Sequence, residues 1–300
     1  MTIQDLVQGA RDRLMQAGIS ANLAALDAEV LARQVLGWDK ARFLVDKGEA
    51  ATTMFLLNYE HYVARRMRRE PISYIIGTRE FWSLDFEVTP DVLIPRPETE
   101  LIVEEALAIR GAEGASGAGG AGGASGPEGR TPLIYDIGTG SGVLAIVLAR
   151  EFPDARVIAT DISSRALNVA QRNAARHGVT DRITFVETSF LDGLDQPADL
   201  IVSNPPYVPA LSAPALTPEI RDYEPGVAVF GGDDGMEGLR RVVEDSASRL
   251  VPGGWLIVEF GYGQDDAVAA LVNASPSLSL VKIRGDLQGI PRTVVARNRP

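Results

Sequence analysis

The sequence contains no cysteine and only two histidines, His61 and His177. The absence of cysteine excludes disulfides, thiolate zinc sites and cysteine nucleophiles. A histidine-based metal site is not expected from two histidines, and a serine hydrolase triad would have to use one of them. We therefore predict a protein without a metal centre.

Long apolar runs are also missing. No stretch reaches the ~18 apolar residues that a membrane-spanning helix needs. Residues Met1–Ala17 are polar and amphipathic, unlike the apolar core of a signal peptide. We expect a cytoplasmic protein that does not associate with a membrane.

Basic residues are outnumbered, because 29 Lys and Arg against 40 Asp and Glu give a formal net charge of -11. Proteins that grip nucleic acid usually present a basic surface, so this balance argues against stable nucleic-acid binding. A local basic patch is still compatible with it. The arginine-rich run Arg65–Arg69 has two interpretations: a solvated helix end, or a contact for an acidic partner or RNA.

Residues up to about 70 show helical spacing of apolar side chains. Leu6 and Leu14 belong to a first such pattern, a second ends at Gly37, and a third covers about Thr53–Arg69. The region has no obvious catalytic residues. We therefore assign residues 1–77 to a helical substrate-recognition domain.

Residues 78–97 have a different pattern, in which Phe81, Leu84 and Phe86 lie among polar residues. This pattern predicts an inter-domain hairpin with its turn at Pro90-Asp91. A helix then runs to about Ile109.

Residues 98–300 are assigned to a catalytic domain. Within it, residues 111–129 are nearly all Gly, Ala and Ser, so we expect a flexible insert without secondary structure. From Thr131 onward strands and helices alternate, which predicts a parallel α/β sheet whose last strand runs antiparallel. The predicted strands are Leu133–Ile137, Arg156–Thr160, Ile183–Glu187, Leu200–Ser203, Trp255–Phe260, Leu278–Arg284 and Thr293–Arg297.

A glycine-rich loop follows the first of these strands and carries Asp136, Gly138, Gly140 and Gly142. Glycines at alternate positions let the backbone turn sharply and approach a ligand closely. The GxGxG spacing differs from the dinucleotide-binding pattern, and an acidic residue before it suits a ligand with a cationic or amino end. A tight strand-to-helix turn without a ligand is the alternative.

Asp161 ends the next strand, 25 residues after Asp136. A carboxylate at this place can accept hydrogen bonds from ribose hydroxyls. It can equally cap the helix that begins near Ser163, and both roles are compatible.

Asn204–Tyr207 reads Asn-Pro-Pro-Tyr at the end of the fourth strand. A planar nitrogen is a poor nucleophile because its lone pair is delocalised. The Asn204 side-chain oxygen and the Pro205 carbonyl can accept its two N–H bonds, Pro206 adds rigidity, and Tyr207 offers a flat stacking face. The pattern favours methylation of a planar nitrogen, with a proline-rich turn as the alternative.

Several segments together resemble the PrmC/HemK family, the peptide chain release factor glutamine methyltransferases. The similar segments are Asp27–Leu31, Val35–Trp38, Arg69–Gly77, Glu80–Trp82, Leu93–Glu100 (Leu-Ile-Pro-Arg-Pro-Glu-Thr-Glu), Gly231–Gly235, and Arg240 with Arg241. The resemblance implies a class I S-adenosylmethionine-dependent methyltransferase fold, Rossmann-like, with a mostly parallel seven-stranded sheet and a small helical N-terminal domain.

The resemblance also implies an activity: methylation of the glutamine side-chain amide in the Gly-Gly-Gln motif of class I release factors. It implies a cofactor site for S-adenosylmethionine made by Asp136, Gly138, Thr139, Gly140, Gly142, Asp161, Ser189, Phe190 and Asn204. Asn204, Pro205 and Tyr207 would be catalytic, and Asn204, Pro205, Pro206, Tyr207, Arg96 and Glu98 would bind the substrate.

Some of these implied roles have alternatives. Arg96 and Glu98 would otherwise form a surface ion pair, and Phe190 would be an ordinary core residue. Ser189 stands where the family commonly has Asp, so the base contact there could fall to backbone groups. Glu259 is expected to support the site from behind.

Three other functions compete with the release-factor hypothesis. A glutamine methyltransferase acting on a ribosomal protein would use the same chemistry. A DNA adenine methyltransferase shares Asn-Pro-Pro-Tyr, but the acidic charge argues against it. A cofactor-binding module without activity would require damaged chemistry, and Asn204–Tyr207 shows none. We expect a monomer.

Overall fold

The computed structural model describes residues 1–115 and 131–300. Within these residues the chain forms two compact units. The first contains Met1–Thr78 together with the short segment Leu216–Tyr223. The second contains Arg79–Ala215 and Glu224–Pro300. The first unit therefore includes a segment from far along the chain.

Capping side chains set the starts of several helices in the first unit. Thr2 and Asp5 form a reciprocal capping box, and Asp39 and Thr52 accept hydrogen bonds from backbone N–H groups of later helices. Gly37 ends the second helix in the left-handed region, with φ 65°, as its position in the sequence predicted. The helices are α1 (Ile3–Gln16), α2 (Ala21–Leu36), α3 (Lys40–Asp46), α4 (Thr53–Met67) and α5 (Ile72–Ile76).

The core of this unit contains Leu14, Leu31 and Val63, all fully buried. Phe55 and Tyr59 stack with ring centroids 5.1 Å apart. The Tyr59 hydroxyl donates to the Ala28 carbonyl at 2.9 Å, so its buried polar atom is satisfied.

Arginines of the run at the end of α4 form ion pairs with carboxylates of the same unit. Arg66 is buried and donates through Nε to Asp27 Oδ2 at 2.7 Å and through one terminal nitrogen to Glu219 Oε1 at 2.9 Å. Arg69 Nε donates to the same Glu219 oxygen at 2.7 Å. Arg65 also forms an ion pair in this unit. Most of the run is thus structural, which neither interpretation of the sequence anticipated.

The hairpin that opens the second unit turns at a different place from the predicted one. Strand β1 (Thr78–Phe81) and strand β2 (Leu84–Glu87) are joined by Trp82 and Ser83, whose φ angles are 53° and 57°. Positive φ at both central residues fits a two-residue hairpin turn, which usually carries Asn or Gly. A turn does lie at Pro90-Asp91, where the Val92 N–H donates to the Thr89 carbonyl at 3.1 Å. The prediction that this turn joins the strands of the hairpin is wrong, because the hairpin turns at Trp82 and Ser83, which carry no turn signal.

Pro97–Thr99 forms a short 3-10 helix that leads into α6 (Glu100–Ala115). The helix therefore passes the predicted end near Ile109 and includes the first residues of the segment 111–129, contrary to our expectation of no secondary structure there. The remainder of that segment lies outside the described residues.

The described residues of the second unit contain a seven-stranded sheet of order β5-β4-β3-β6-β7-β9-β8. All neighbours from β5 to β7 are parallel, and β9 pairs antiparallel with both β7 and β8. This confirms the predicted mostly parallel sheet with an antiparallel last strand. The strands are β3 (Leu133–Ile137), β4 (Arg156–Asp161), β5 (Ile183–Glu187), β6 (Ala198–Ser203), β7 (Leu250–Glu259), β8 (Leu278–Gly285) and β9 (Pro291–Asn298).

Helices cover both faces of the sheet and form a hydrophobic core on each face. Successive residues of a strand therefore pack in different cores. Ile134 belongs to the core with α6 and helices 143–151 and 164–176, whereas Tyr135 belongs to the core with helices 237–249 and 265–274. Burial on both faces explains the nearly continuous apolar strands. These helices are α7 (Val143–Glu151), α8 (Ser164–Arg176), α11 (Glu237–Arg249) and α12 (Asp265–Ala274), and between them lie α9 (Pro218–Tyr223) and α10 (Gly226–Val229).

The described residues contain neither a helix suited to span a membrane nor a cluster suited to bind a metal ion. None of their helices combines the length and apolar character that crossing a membrane requires. They also contain no group of His, Asp or Glu side chains arranged to hold a metal ion.

Candidate active site

The two sequence motifs meet at the carboxyl edge of the sheet. Ile137 of β3 lies opposite Ser203 of β6, so the glycine-rich loop and Asn204 begin side by side. The chain proceeds from β3 to β4 and β5, then returns to β6 on the other side of β3. Such a topological switch point is where open α/β sheets bind ligands. A cavity of about 210 Å³ opens there, within the second unit.

The glycines of the loop have two different roles. Gly138 and Gly140 line the cavity with φ of 71° and 55°, and an added Cβ would meet no atom within 4 Å. Gly142, with φ 85°, packs on α8, where an added Cβ would lie 3.0 Å from the Ala170 Cβ. Gly142 is not among the cavity-lining residues, so its structural role is packing. Thr139 lines the cavity, and its N–H donates to the Thr160 carbonyl at 2.8 Å.

Asp136 lines the cavity although it is only 1% exposed. Its Oδ2 accepts from the Thr139 hydroxyl at 2.6 Å and from the Ala145 N–H at 3.0 Å. Its Oδ1 is buried without a hydrogen-bond partner among the described residues. Burial raises the pKa of the Asp136 carboxyl to about 7, although the two hydrogen bonds act to lower it. An unpaired carboxylate oxygen on a residue that lines a cavity suits a ligand with an ammonium group.

Asp161 binds the loop rather than capping the next helix. Its Oδ2 accepts from the Gly140 N–H and its Oδ1 from the Ser163 N–H, both at 2.9 Å. The helix N-cap is Ser163, whose hydroxyl accepts from the Ala166 N–H at 3.2 Å, so the capping alternative for Asp161 is wrong. Burial raises the pKa of Asp161. A carboxylate has about four acceptor sites, more than these backbone N–H groups use, so Asp161 can still accept from a sugar hydroxyl.

Apolar side chains flank the part of the cavity beyond Asp161. Ile162 is 60% exposed and lines the cavity, as do Ser189 and Phe190. Phe190 has a φ of 50°, and the Arg241 guanidinium lies 5.6 Å from its ring centroid. Apolar side chains that line a cavity beside a carboxylate suit a flat base.

Asn204 follows β6, next to the glycine-rich loop that follows β3, and it is hydrogen-bonded to Thr99. Its Nδ2 donates to the Thr99 Oγ1 at 3.0 Å. Asn204, Pro205 and Pro206 all line the cavity, as does Thr99. The hydrogen bond from Nδ2 to Thr99 thus holds the Asn204 amide next to the glycine-rich loop.

Tyr207 is directed elsewhere. It is not among the residues that line the cavity, and its hydroxyl donates to Glu259 Oε1 at 3.0 Å. Glu259 is 1% exposed, and its Oε2 accepts from the Thr99 hydroxyl at 2.6 Å. Burial raises the pKa of Glu259 to about 7, and burial beside Glu259 raises the pKa of Tyr207. The stacking role of Tyr207 stays a prediction, and the geometry described gives it a supporting contact instead.

Arg96 and Glu98 do not line the cavity, although their neighbours Pro95 and Thr99 do. Arg96 donates to both carboxylate oxygens of Glu224, at 2.6 and 2.8 Å, rather than pairing with Glu98. The Glu224 carboxylate is almost fully buried, so this pair is not the surface ion pair considered as the alternative. Their substrate-binding role stays a prediction.

The sequence interpretation missed several cavity-lining residues. Ile162 could have been found, since it follows Asp161 at a strand end. Thr99 lay inside a recognised segment but was given no role. No sequence signal identified others, such as Val92, Pro225, Val227 and Ala228.

The residues of the cavity together fit one kind of small ligand. The unpaired Asp136 oxygen suits an ammonium group, Asp161 suits sugar hydroxyls, and Ile162 and Phe190 suit a flat base. Gly138 and Gly140 leave the backbone side of the cavity open, since a Cβ there would project into free space. Asn204 lines the same cavity, and its polar side chain could hydrogen-bond a second molecule beside such a ligand.

Known proteins resemble the chain over nearly its full length. Residues 5–77 match the PrmC N-terminal domain and residues 127–219 the methyltransferase small domain. A release factor glutamine methyltransferase of Geobacter sulfurreducens is 41% identical over 300 residues, which covers 99% of this chain and 96% of that protein. One of Bradyrhizobium diazoefficiens is 38% identical, covering 98% and 95%. A methyltransferase structure from Pyrococcus furiosus, 17% identical with a TM-score of 0.50, covers 80% of this chain and 100% of that one and supports the fold.

Proposed function

This chain belongs to the family of release factor glutamine methyltransferases, and we propose that it methylates the glutamine side-chain amide in the Gly-Gly-Gln motif of class I release factors. One observation carries the proposal. Asn204 and Asp136, whose Oδ1 has no hydrogen-bond partner among the described residues, line one cavity at the switch point of a methyltransferase sheet.

The proposed cofactor is S-adenosylmethionine, which supplies an electrophilic methyl group when it is bound. Asp136 Oδ1 would accept hydrogen bonds from its amino group, and the ammonium charge would stabilise the ionised carboxylate. Asp161 would accept from the ribose hydroxyls while it holds the Gly140 N–H. Ile162 and Phe190 would contact the two faces or edges of the adenine.

The acceptor is an amide, whose nitrogen is a poor nucleophile. Asn204 Oδ1 and the Pro205 carbonyl would accept its two N–H groups and hold its plane against the methyl group. The same two oxygens would stabilise positive charge that develops on the nitrogen during transfer. The new N–C bond would form as the S–C bond of the sulfonium breaks, which leaves a neutral thioether, and the methylated nitrogen would then lose one proton to solvent. No strong base is required before attack, so positioning and electrostatics supply the catalysis.

The experiment combines purified enzyme, S-adenosylmethionine and a class I release factor, followed by mass spectrometry of the Gly-Gly-Gln peptide. We expect the mass of one methyl group on the glutamine. A release factor with that glutamine replaced by alanine serves as the matched control and should remain unmodified. Methyl transfer to a ribosomal protein or to DNA in parallel reactions, with an unmodified release factor, would contradict the proposal.

A further inference from the structure

Glu259 is a buried carboxylate that does not line the cavity but is bonded to residues of the site. It is the last residue of β7 and is 1% exposed. Its Oε2 accepts from Thr99 Oγ1 at 2.6 Å and its Oε1 from the Tyr207 hydroxyl at 3.0 Å. Each hydroxyl has only one hydrogen, and both hydrogens are given to Glu259.

This arrangement determines how Thr99 can bind Asn204. An ionised carboxylate only accepts, so Thr99 must donate to Glu259 and can offer Asn204 only lone pairs. Asn204 therefore presents Nδ2 to Thr99, at 3.0 Å, and its Oδ1 is left for another donor. An acceptor amide brings two N–H donors, which need an oxygen and would be repelled by an NH₂ group.

We propose that Glu259, acting through Thr99, is the positioning residue that orients the Asn204 amide with its oxygen toward the acceptor nitrogen. The inference rests on the proposed function, because it concerns the same acceptor site. It adds Glu259 and Thr99 to that site. Both would act on the reacting nitrogen only through Asn204.

The relay operates in one protonation state. A protonated Glu259 can donate to Thr99, which frees the Thr99 hydrogen for Asn204. The Asn204 amide is then favoured in the flipped orientation, with Oδ1 accepting from Thr99 and Nδ2 toward the acceptor. Burial raises the pKa of Glu259 to about 7, with Glu98 acting in the same direction and Thr99, Tyr207 and Arg292 acting against it. The positive charges of Arg96 and Arg292 act to lower the pKa of Tyr207. Ionised Glu259, favoured above pH 7, gives the productive orientation.

The first test compares Thr99→Ser with Thr99→Val. Serine keeps the hydroxyl relay, whereas valine keeps the shape of threonine and removes the hydroxyl. We measure kcat and KM with a class I release factor and tritium-labelled S-adenosylmethionine, and cofactor Kd by calorimetry. Thr99→Ser should stay within a few-fold of the wild type, and Thr99→Val should lower kcat by roughly 10- to 100-fold with cofactor Kd changed by less than about threefold.

The second test is Glu259→Gln and its pH profile, measured as kcat at saturating cofactor so that cofactor binding by Asp136 does not contribute. The wild-type kcat should rise as pH increases through about 7. The glutamine variant should lose that rise and stay low, because its NH₂ can donate to Thr99. If the variant does not fold, the Thr99 pair decides the question alone.

Equal kcat values for Thr99→Val and Thr99→Ser would overturn the inference. It would also be overturned if cofactor Kd weakened in parallel with kcat, because that result indicates a collapsed cavity. An inactive wild type would overturn the proposed function and this inference together. An active wild type with equal Thr99 variants would overturn this inference only.

Discussion

At the scale of single residues, the unpaired oxygen of Asp136 destabilises the ligand-free protein and is available to bind a ligand. Its Oδ1 is buried without a partner, a state that costs free energy in an apolar environment. Asp136 was predictable from sequence because it lies at the end of a strand just before the glycines, and Asp161 because it ends the next strand. The contact of Thr99 with Asn204 was not predictable, because it joins side chains far apart in the chain.

Asp136→Asn should weaken cofactor binding while stabilising the ligand-free protein at alkaline pH. The pKa of Asp136 is raised from 3.8 to about 7, so the folded state binds the extra proton and stability falls as pH rises from about 4 to 7. The neutral amide removes that loss. We expect about 1–2 kcal/mol higher unfolding free energy at pH 8, measured by urea denaturation, and at least roughly tenfold weaker cofactor binding by calorimetry. Unchanged cofactor affinity would contradict the role of Asp136.

Asn204→Ala should separate catalysis from cofactor binding. The variant loses the oxygen proposed to accept the acceptor N–H, so kcat should fall by roughly 100-fold or more. Cofactor Kd should change little, because Asp136 and Asp161 are retained. Calorimetry and steady-state kinetics on the same preparation check both. A loss of cofactor affinity as large as the loss of kcat would assign Asn204 to the cofactor instead.

At the scale of elements, glycines bring later loops against the Asn-Pro-Pro-Tyr segment. An added Cβ on Gly231 would lie 2.4 Å from the Pro206 carbonyl oxygen, and one on Gly235 would lie 2.3 Å from the Tyr207 carbonyl oxygen. Gln264 Nε2 donates to that Tyr207 oxygen at 3.0 Å. The Gly-Gly-Asp-Asp-Gly motif therefore supports the loop that carries the proposed acceptor site.

Gly235→Ala should displace the acceptor loop, and Gly263→Ala provides its control. Both glycines have φ 74°, so alanine is strained equally at either position, but only Gly235 has atoms within 4 Å of the added Cβ. Gly235→Ala should lower kcat at least roughly tenfold more than Gly263→Ala does. Equal kcat values for the two variants, measured with the release factor, would show that backbone strain alone matters.

Sequence patterns predicted regular elements better than the connections between them. The sheet was predictable because buried strands such as β3 are short apolar runs between helices. The hairpin turn at Trp82 and Ser83 was not, because tertiary packing imposes positive φ on residues without turn propensity. Arg96 was placed in the acceptor site by resemblance, but its described partner is Glu224.

At the scale of the whole molecule, the domain boundaries proposed from sequence differ from the compact units. The proposal assigns residues 98–300 to one domain, whereas Leu216–Tyr223 joins the helical unit. Glu219 of this segment accepts from Arg66 and Arg69, and the Tyr223 hydroxyl donates to the Arg68 carbonyl. No local pattern in residues 216–223 indicates such partners.

Glu219→Gln should destabilise the helical unit, since it leaves buried Arg66 without one of its carboxylates. We expect a loss of about 1–3 kcal/mol and almost no change for Asp222→Asn, whose exposed pair lies on the same helix. Amide hydrogen exchange in α1, α2 and α4 measures the effect. Equal protection in both variants would contradict it.

The contribution of Glu219 should depend on pH. Burial alone would raise its pKa, but hydrogen bonds from Arg69 and Arg66 outweigh burial and lower it from 4.5 to about 2. The stabilisation is therefore complete above about pH 4.5 and is lost as pH falls toward 2. Hydrogen exchange in Glu219→Gln should approach that of the wild type at the lowest pH, and a constant difference would contradict this.

The shared membership of Met1–Thr78 and Leu216–Tyr223 in one unit has a consequence for biosynthesis. Ribosomes add about 5–20 residues per second, so roughly 8 to 30 seconds separate the emergence of α4 from that of Glu219. During this interval Arg66 has Asp27 but lacks its second carboxylate. We expect the nascent helical unit to stay labile to proteases until that later segment has left the ribosome.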